Sequence, residues 1–240
     1  MQSQTEIASH VHFTDYDEDQ FRALLRDNGY VYMDGVPGHF DHVAFFRSFG
    51  DLMRQYHGEY VWSVKAQERF QNMYHSLNTR PLMPHTECYE FAAAPPRYLG
   101  LWCLVPADDG GGQTTLTDFA PFLAGLTEAE FGQLASKQFT FVSANGVQEM
   151  DLGHTAVHPL YEERAGRPPI FRFSYNCVED GGDPFLLKFR ERVVRFFNEN
   201  RLAIDIAPNA VLLWDNYRVL HARTGYTNPR RHLRRVWISE

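Results

Sequence analysis

Five apolar, strand-like runs constrain this chain more than any other feature: YLGLWCLV at 98 to 105, QFTFVSA at 138 to 144, PIFRFSYN at 169 to 176, AVLLW at 210 to 214, and the segment 231 to 239. They are rich in aromatic and β-branched residues and mostly bounded by Gly, Pro, Asp or Asn, as half-buried strands closed by turns are. Phe21, Leu24 and Leu25 recur at helical spacing in 17 to 29, and Asn28-Gly29 stops that helix before the strand-like Tyr30–Met33. Asp41 is placed to cap a second helix over 41 to 49, Thr127 and Glu130 form a capping-box pattern, and Pro184 opens a helix running towards Arg201. Because helices and strands do not alternate regularly, a doubly wound parallel sheet is disfavoured. The pattern predicts an α+β fold with an antiparallel β core and helices outside it. Long loops are expected over 50 to 84, 106 to 113, 145 to 168 and 177 to 183.

With 240 residues, 44% of them hydrophobic, the chain can bury one sizeable core, and we expect a single domain over 1–240. A net charge of -7, with basic residues scattered except near the C-terminus, leaves no broad basic face for a phosphate backbone, so no nucleic-acid partner is expected. The opening MQSQTEIASH lacks a signal pattern, and no apolar run approaches the ~20 residues that span a bilayer, so we expect a cytoplasmic protein without a membrane partner. Cys88, Cys103 and Cys177 are odd in number and show no C-x-x-C spacing, which points to reduced thiols rather than a disulfide framework or zinc knuckle. A homo-oligomer is compatible with all of this.

A histidine two residues before an acid, on an extended strand, puts both side chains on one face, where they can converge on a metal. Eleven His and thirty acidic residues in this length produce roughly one such pair by chance, and the chain has three: His39 with Asp41, His57 with Glu59, and His85 with Glu87. The first falls where a helix begins and gives Asp41 a capping role. The second lies in the polar stretch HGEY, without a strand pattern. The third sits in LMPHTECYEF, where Pro84, Thr86, Cys88 and Tyr89 suit an extended edge beside an open site. Downstream, Gly110-Gly111-Gly112 reads as a turn rather than a phosphate cradle, since no Lys follows in a strand-to-helix pattern. His221 ends an apolar strand pair in VLLWDNYRVLHARTGY. Two histidines and one carboxylate leave three octahedral positions open, the facial arrangement of a non-haem Fe(II) site. A nearby guanidinium can grip the far carboxylate of a five-carbon diacid that chelates the iron from its other end. Arg230 and Arg234 read instead as parts of a solvated basic edge strand.

Together, PHTECYEF, APPRYLGLWCLVPADDGGGQTTLTD and WDNYRVLHARTGYTNPRRHLRRVWI resemble the taurine dioxygenase and clavaminate synthase superfamily of 2-oxoglutarate oxygenases. The resemblance runs from about residue 20 to the end and implies a double-stranded β-helix, a jelly-roll core with flanking helices. It implies that His85, Glu87 and His221 hold Fe(II), that Arg231 binds the distal carboxylate of 2-oxoglutarate, and that Thr114 assists it. Arg235 falls where relatives face the substrate or cosubstrate, and residues 231, 233 and 235 share one face of a strand. The ligand is Glu rather than the commoner Asp, as in the clavaminate synthase and amino-acid hydroxylase branch. The chain is shorter than many members, which implies a reduced lid. A carboxylate at 87 also argues against a halogenase.

The implied reaction consumes O2 and 2-oxoglutarate, releases succinate and CO2, and hydroxylates or desaturates an unactivated C–H bond of a small molecule. Glu179, Asp180 and Asp183 follow the run at 169 to 176 and suggest an amine-bearing, amino-acid-like substrate; Tyr74, His75 and Asn78 are candidates for lining its pocket. Two other readings use the same residues: a zinc hydrolase, which leaves Arg231 and Thr114 idle, and a non-catalytic jelly-roll ligand-binding protein.

Overall fold

The structure, a computed structural model, describes residues 7–240; the first six residues of the N-terminal segment considered above lie outside them. Strand β1 (His10–His12) leads into helix α1 (Glu18–Asn28), whose N-terminus is capped by the Asp17 side chain accepting from Gln20 N–H. Gly29 closes the helix in the left-handed region, at φ 78°, and strand β2 (Tyr30–Asp34) follows, then helix α2 (His42–Arg47), capped by Asp41 as expected. Strands β3 (Leu52–Met53), β4 (Val61–Lys65) and β5 (Leu82–His85) correct the expected loop over 50 to 84. Strands β6 (Tyr98–Val105) and β7 (Thr114–Asp118) flank the glycine run, and helices α3 (Ala120–Ala124) and α4 (Glu128–Ser136) follow, with the Thr127 and Glu130 capping box formed.

Strand β8 (Phe139–Val142) and helix α5 (Asn145–Gln148) precede strands β9 (Thr155–His158), β10 (Tyr161–Arg164), β11 (Arg167–Phe171) and β12 (Val178–Glu179). The segments 145 to 168 and 177 to 183 are therefore not simple loops; their strands are short and polar, which hid them. The run expected at 169 to 176 leaves its hairpin after Phe171, and its later residues pair with the Pro84–Thr86 segment instead: Thr86 N–H donates to Phe173 O and Tyr175 N–H to Pro84 O. Helix α6 (Pro184–Asn200), then β13 (Leu202–Ile204), β14 (Val211–Asp215), β15 (Val219–Arg223) and β16 (His232–Ile238) complete the chain.

Two sheets dominate, with pairings that are antiparallel except between β1 and β2. The larger runs β1-β2-β14-β6-β16-β3, with β4 also on β16, and the smaller runs β13-β7-β15-β5. Strand β16 therefore lies inside its sheet, between β6 and both β3 and β4, which corrects the reading of a basic edge strand. Arg230 precedes it as an exposed turn residue paired with Asp108.

Side chains alternate between the faces of a strand, and this sorts the core. Leu212 and Trp214 of β14, Leu99, Leu101 and Cys103 of β6, and Leu233 and Trp237 of β16 pack with Leu116, Ile204 and Val219 of the smaller sheet. Val211 and Leu213, with Val236 and Ile238, face outward onto Phe21 and Leu25 of α1 and Phe45 and Phe46 of α2. Leu220 and Ala222 on the outer face of the smaller sheet meet Leu186, Phe189, Val193 and Phe197 of α6. No helix among the described residues is long and apolar enough to cross a membrane.

Gly100 sits on the outward side of β6, and a Cβ there would lie 2.3 Å from the fully buried Phe46 ring. Gly100→Ala is expected to destabilise the fold by about 1–3 kcal/mol through overpacking, read as a lower urea midpoint with an unchanged slope.

Candidate active site

Strand register brings the expected metal ligands together. His221 of β15 stands opposite His85 of β5, and their ring centroids lie 4.1 Å apart. On β15, Val219 packs between the sheets and His221 and Arg223, sharing its parity, line the cavity there. Only His85 of the histidine–acid pair lies on the strand. Glu87 begins a turn, with Cys88 at φ 54°, so the turn and not strand alternation aims its carboxylate. Asn216 holds that turn from the other side: its Oδ1 accepts from Glu87 N–H at 2.7 Å, and its Nδ2 donates to Glu87 O and Pro96 O. Glu87 Oε2 lies 3.5 Å from His221 Nε2 and 4.0 Å from His85 Nε2, and the three ligand atoms fall within 4.8 Å of one another.

The protonation states suit a metal. Burial and the neighbouring His221 lower His85 to about 3, so its ring is neutral at neutral pH. His85 Nδ1 sits 2.8 Å from Met83 O, and the tautomer that donates there leaves Nε2 with a free lone pair. Burial alone would raise Glu87, but Arg235 and His221 outweigh it and hold the carboxyl down at about 2. Arg235 Nη1 is 2.6 Å from Glu87 Oε1, and Gln55 fixes Arg235 by accepting from its Nε at 2.9 Å. Arg235 thus stands on the expected metal-binding carboxylate itself, while its buried Nη2 has no partner among the described residues.

A cavity of about 910 Å³, counting the space at its open mouth, contains these groups. Thr114 and Arg231 line it together. Arg231 is 3% exposed, and its Nη1 is buried without a hydrogen-bond partner among the described residues. Such an orphaned cationic donor is costly unless an anion meets it, and a carboxylate fits. The glycine run makes this possible: a Cβ at Gly112 would sit 2.7 Å from Arg231 Nε. The residues present therefore fit both Fe(II) and 2-oxoglutarate.

Tyr74 and His75 line the cavity, as expected, whereas Asn78 lies behind it. Asn78 and the carbonyls of Ser76 and Arg80 hold the Arg223 guanidinium, a buried cavity residue that sequence reasoning passed over. The acidic trio lies elsewhere, which corrects its expected contact with substrate. Asp183 caps α6 and pairs with Lys137, Asp180 pairs with Arg190, and Glu179 is exposed on β12; each already has a structural or solvent partner. Asn216 and Glu90 also escaped sequence reasoning. The signal for Glu90 was an acid embedded in the otherwise apolar CYEF, three residues beyond Glu87.

The family model for taurine catabolism dioxygenase TauD, TfdA family, matches residues 3–237. The chain belongs to this family. It is a dioxygenase family, the class expected from the sequence, and the residues described above would accommodate iron and 2-oxoglutarate. No curated protein gives a significant sequence match. Among solved structures, the chain is similar to an asparagine oxygenase in complex with Fe(II), 2S,3S-3-hydroxyasparagine and succinate, at TM-score 0.74, 15% identity and coverage of 91% of this chain and 77% of that one. The oxygenase OrfP with Fe, succinate and (3S)-hydroxy-L-arginine superposes at TM-score 0.71, 16% identity and 94% and 82% coverage. PvcB of Pseudomonas aeruginosa does so at TM-score 0.66, 20% identity and 95% and 81% coverage. At these identities the likeness establishes a shared mixed α+β fold.

His75 packs on Phe70, and burial, with Arg235 nearby, lowers it to about 3. A histidine depressed in the folded state binds no proton while the unfolded chain, at 6.5, does, so it costs stability as pH falls from 6.5 towards 3. Relative to His75→Gln, the wild type should lose about 2 kcal/mol of stability between pH 7 and pH 5, at ~1.4 kcal/mol per pH unit below 6.5. Urea melts of both proteins at the two pH values measure this difference.

Proposed function

We propose that the chain, as one domain wound as a double-stranded β-helix, hydroxylates or desaturates an unactivated C–H bond of a small, amino-acid-like substrate. His85, Glu87 and His221 would hold Fe(II), and Arg231 with Thr114 would hold the distal carboxylate of 2-oxoglutarate. The convergence of two imidazoles, that of His85 held neutral, and one ionised carboxylate beside the unpartnered Arg231 nitrogen carries this reading. Iron and 2-oxoglutarate, when bound, supply the oxidising chemistry, with O2 consumed and succinate and CO2 released.

The protein's part is positional. Arg231 offers two parallel N–H donors and fixes the far end of the keto acid. Asn216 keeps the Glu87 turn from relaxing, and Gln55 holds Arg235 against Glu87 until a metal competes for that carboxylate. Leu99, Leu101 and Leu233 give the cavity an apolar wall that keeps water from reactive species. Hydroxyasparagine and hydroxyarginine in the neighbouring structures support an amino-acid-like substrate. Three buried free thiols accord with a reducing, cytoplasmic setting.

His85→Ala is expected to abolish 2-oxoglutarate turnover. Arg231→Ala should raise the 2-oxoglutarate KM by about tenfold to a hundredfold, the cost of a lost charge-assisted pair, while leaving iron affinity within a factor of two or so. Succinate formation and calorimetric iron titration measure the two effects; normal turnover in either variant contradicts the reading.

A further inference from the structure

Glu90 is 6% exposed and lines the same cavity as the metal ligands, yet the oxygenase reading gives it no task. One of its carboxylate oxygens is fixed. Ser143 Oγ donates to Oε1 at 2.9 Å, and because that hydroxyl accepts from His154 N–H at 2.8 Å, its one proton is committed to Glu90. The other oxygen, Oε2, is buried and finds no donor among the described residues.

No protein cation pairs with it. Arg235 bonds Glu87 and Gln55, Arg223 main-chain carbonyls and Asn78, and Arg172 the carbonyls of Phe91 and Ala93 and Glu162, and none of the three forms an ion pair with Glu90. Around Glu90 the cavity wall is aromatic and apolar, with Tyr56, Tyr89, Ala144 and Val147. An acid buried there with one oxygen unpartnered is unfavourable, and burial indeed pushes it up to about 7. An incoming cation would relieve that cost.

We propose that Glu90 is the substrate-recognition carboxylate of this site and binds a protonated amine through Oε2, so that the substrate is a cationic or zwitterionic small molecule such as a free amino acid. This rests on the oxygenase reading for its location. It also returns the amine contact, expected from the sequence at Glu179, Asp180 and Asp183, to an acid that does face the cavity.

The test uses the iron-loaded full chain with 2-oxoglutarate and O2, probed with the twenty standard L-amino acids and their 2-hydroxy acid counterparts. Succinate formed above the rate without probe is the readout. At least one amino acid should stimulate the wild type while its 2-hydroxy acid does not. Glu90→Gln should raise the KM of that amino acid by about tenfold to a hundredfold, more than it lowers kcat, and Glu90→Asp should keep the preference for the amine. Glu90→Gln retains an acceptor for Ser143 and removes a buried charge, so it should melt no lower than the wild type. Stimulation by no amino acid, equal stimulation by the hydroxy acids, or a wild-type KM in Glu90→Gln overturns the proposal, as does a large fall in melting temperature with an unchanged KM. Calorimetric binding of 2-oxoglutarate to the anaerobic iron-loaded wild type reports separately on the oxygenase reading. If it binds and the amine response is absent, only the role of Glu90 fails.

Discussion

Register between two short strands governs this site. Because β5 and β15 pair with His85 opposite His221, two imidazoles meet across a ladder whose geometry is set by backbone hydrogen bonds. A one-residue slip would send either ring to the other face of its strand. The third ligand needs different physics. Glu87 lies past the end of β5, and a turn pinned by Asn216 and the Arg235 ion pair aim its carboxylate at the rings. In this structure Arg235 occupies one Glu87 oxygen, so the buried ligand set is charge-compensated before any metal arrives. That matters, because an isolated buried carboxylate would otherwise take up a proton and lose its value as a ligand.

The rest of the fold supports that geometry through alternation. Strands β14, β6 and β16 each send one row of side chains outward to α1 and α2 and another inward to the smaller sheet. The parity that places Leu233 and Trp237 in the inner core also places Arg235 there, and Arg231, just before the strand, lines the same cavity. A guanidinium so enclosed requires an anion or carbonyl oxygens. Arg223 takes carbonyls, Arg235 takes Glu87, and Arg231, its buried Nη1 unpartnered, has neither a carboxylate nor a carbonyl among the described residues. Gly111 and Gly112 are intelligible in these terms, since the backbone at Gly225 and the Arg231 side chain come too close to them for a Cβ.

Much of this was legible in the sequence where period and composition are strong. The apolar runs at 98 to 105 and 210 to 214 became β6 and β14 to within a residue, and Asp41, Thr127 and Pro184 mark helix starts as their chemistry dictates. Strand β4, VWSVK, carries the β-branched and aromatic residues of a strand and was passed over, whereas β9 and β10, four residues each, are too short for alternation to mark them and only pairing reveals them. The basic C-terminal segment suggested an edge, but β4, itself unseen, covers it. For the site, histidine spacing and strand context singled out residues that the fold does bring together. The acids at 179 to 183 misled, since an acid near a helix start is most often a cap, and Asp183 is one. Glu90 and Asn216 act through a turn whose path no periodicity encodes.

The most direct test of the account needs no substrate. Fe(II) and then 2-oxoglutarate are added to the purified protein under strict anaerobiosis, and the visible spectrum is recorded before and after oxygen is admitted. The account predicts a weak absorption band from the iron–keto acid chelate, which bleaches with oxygen as succinate forms. Zinc binding with no band in the presence of iron would contradict it, and would show that His85, Glu87 and His221 hold a metal for some other purpose.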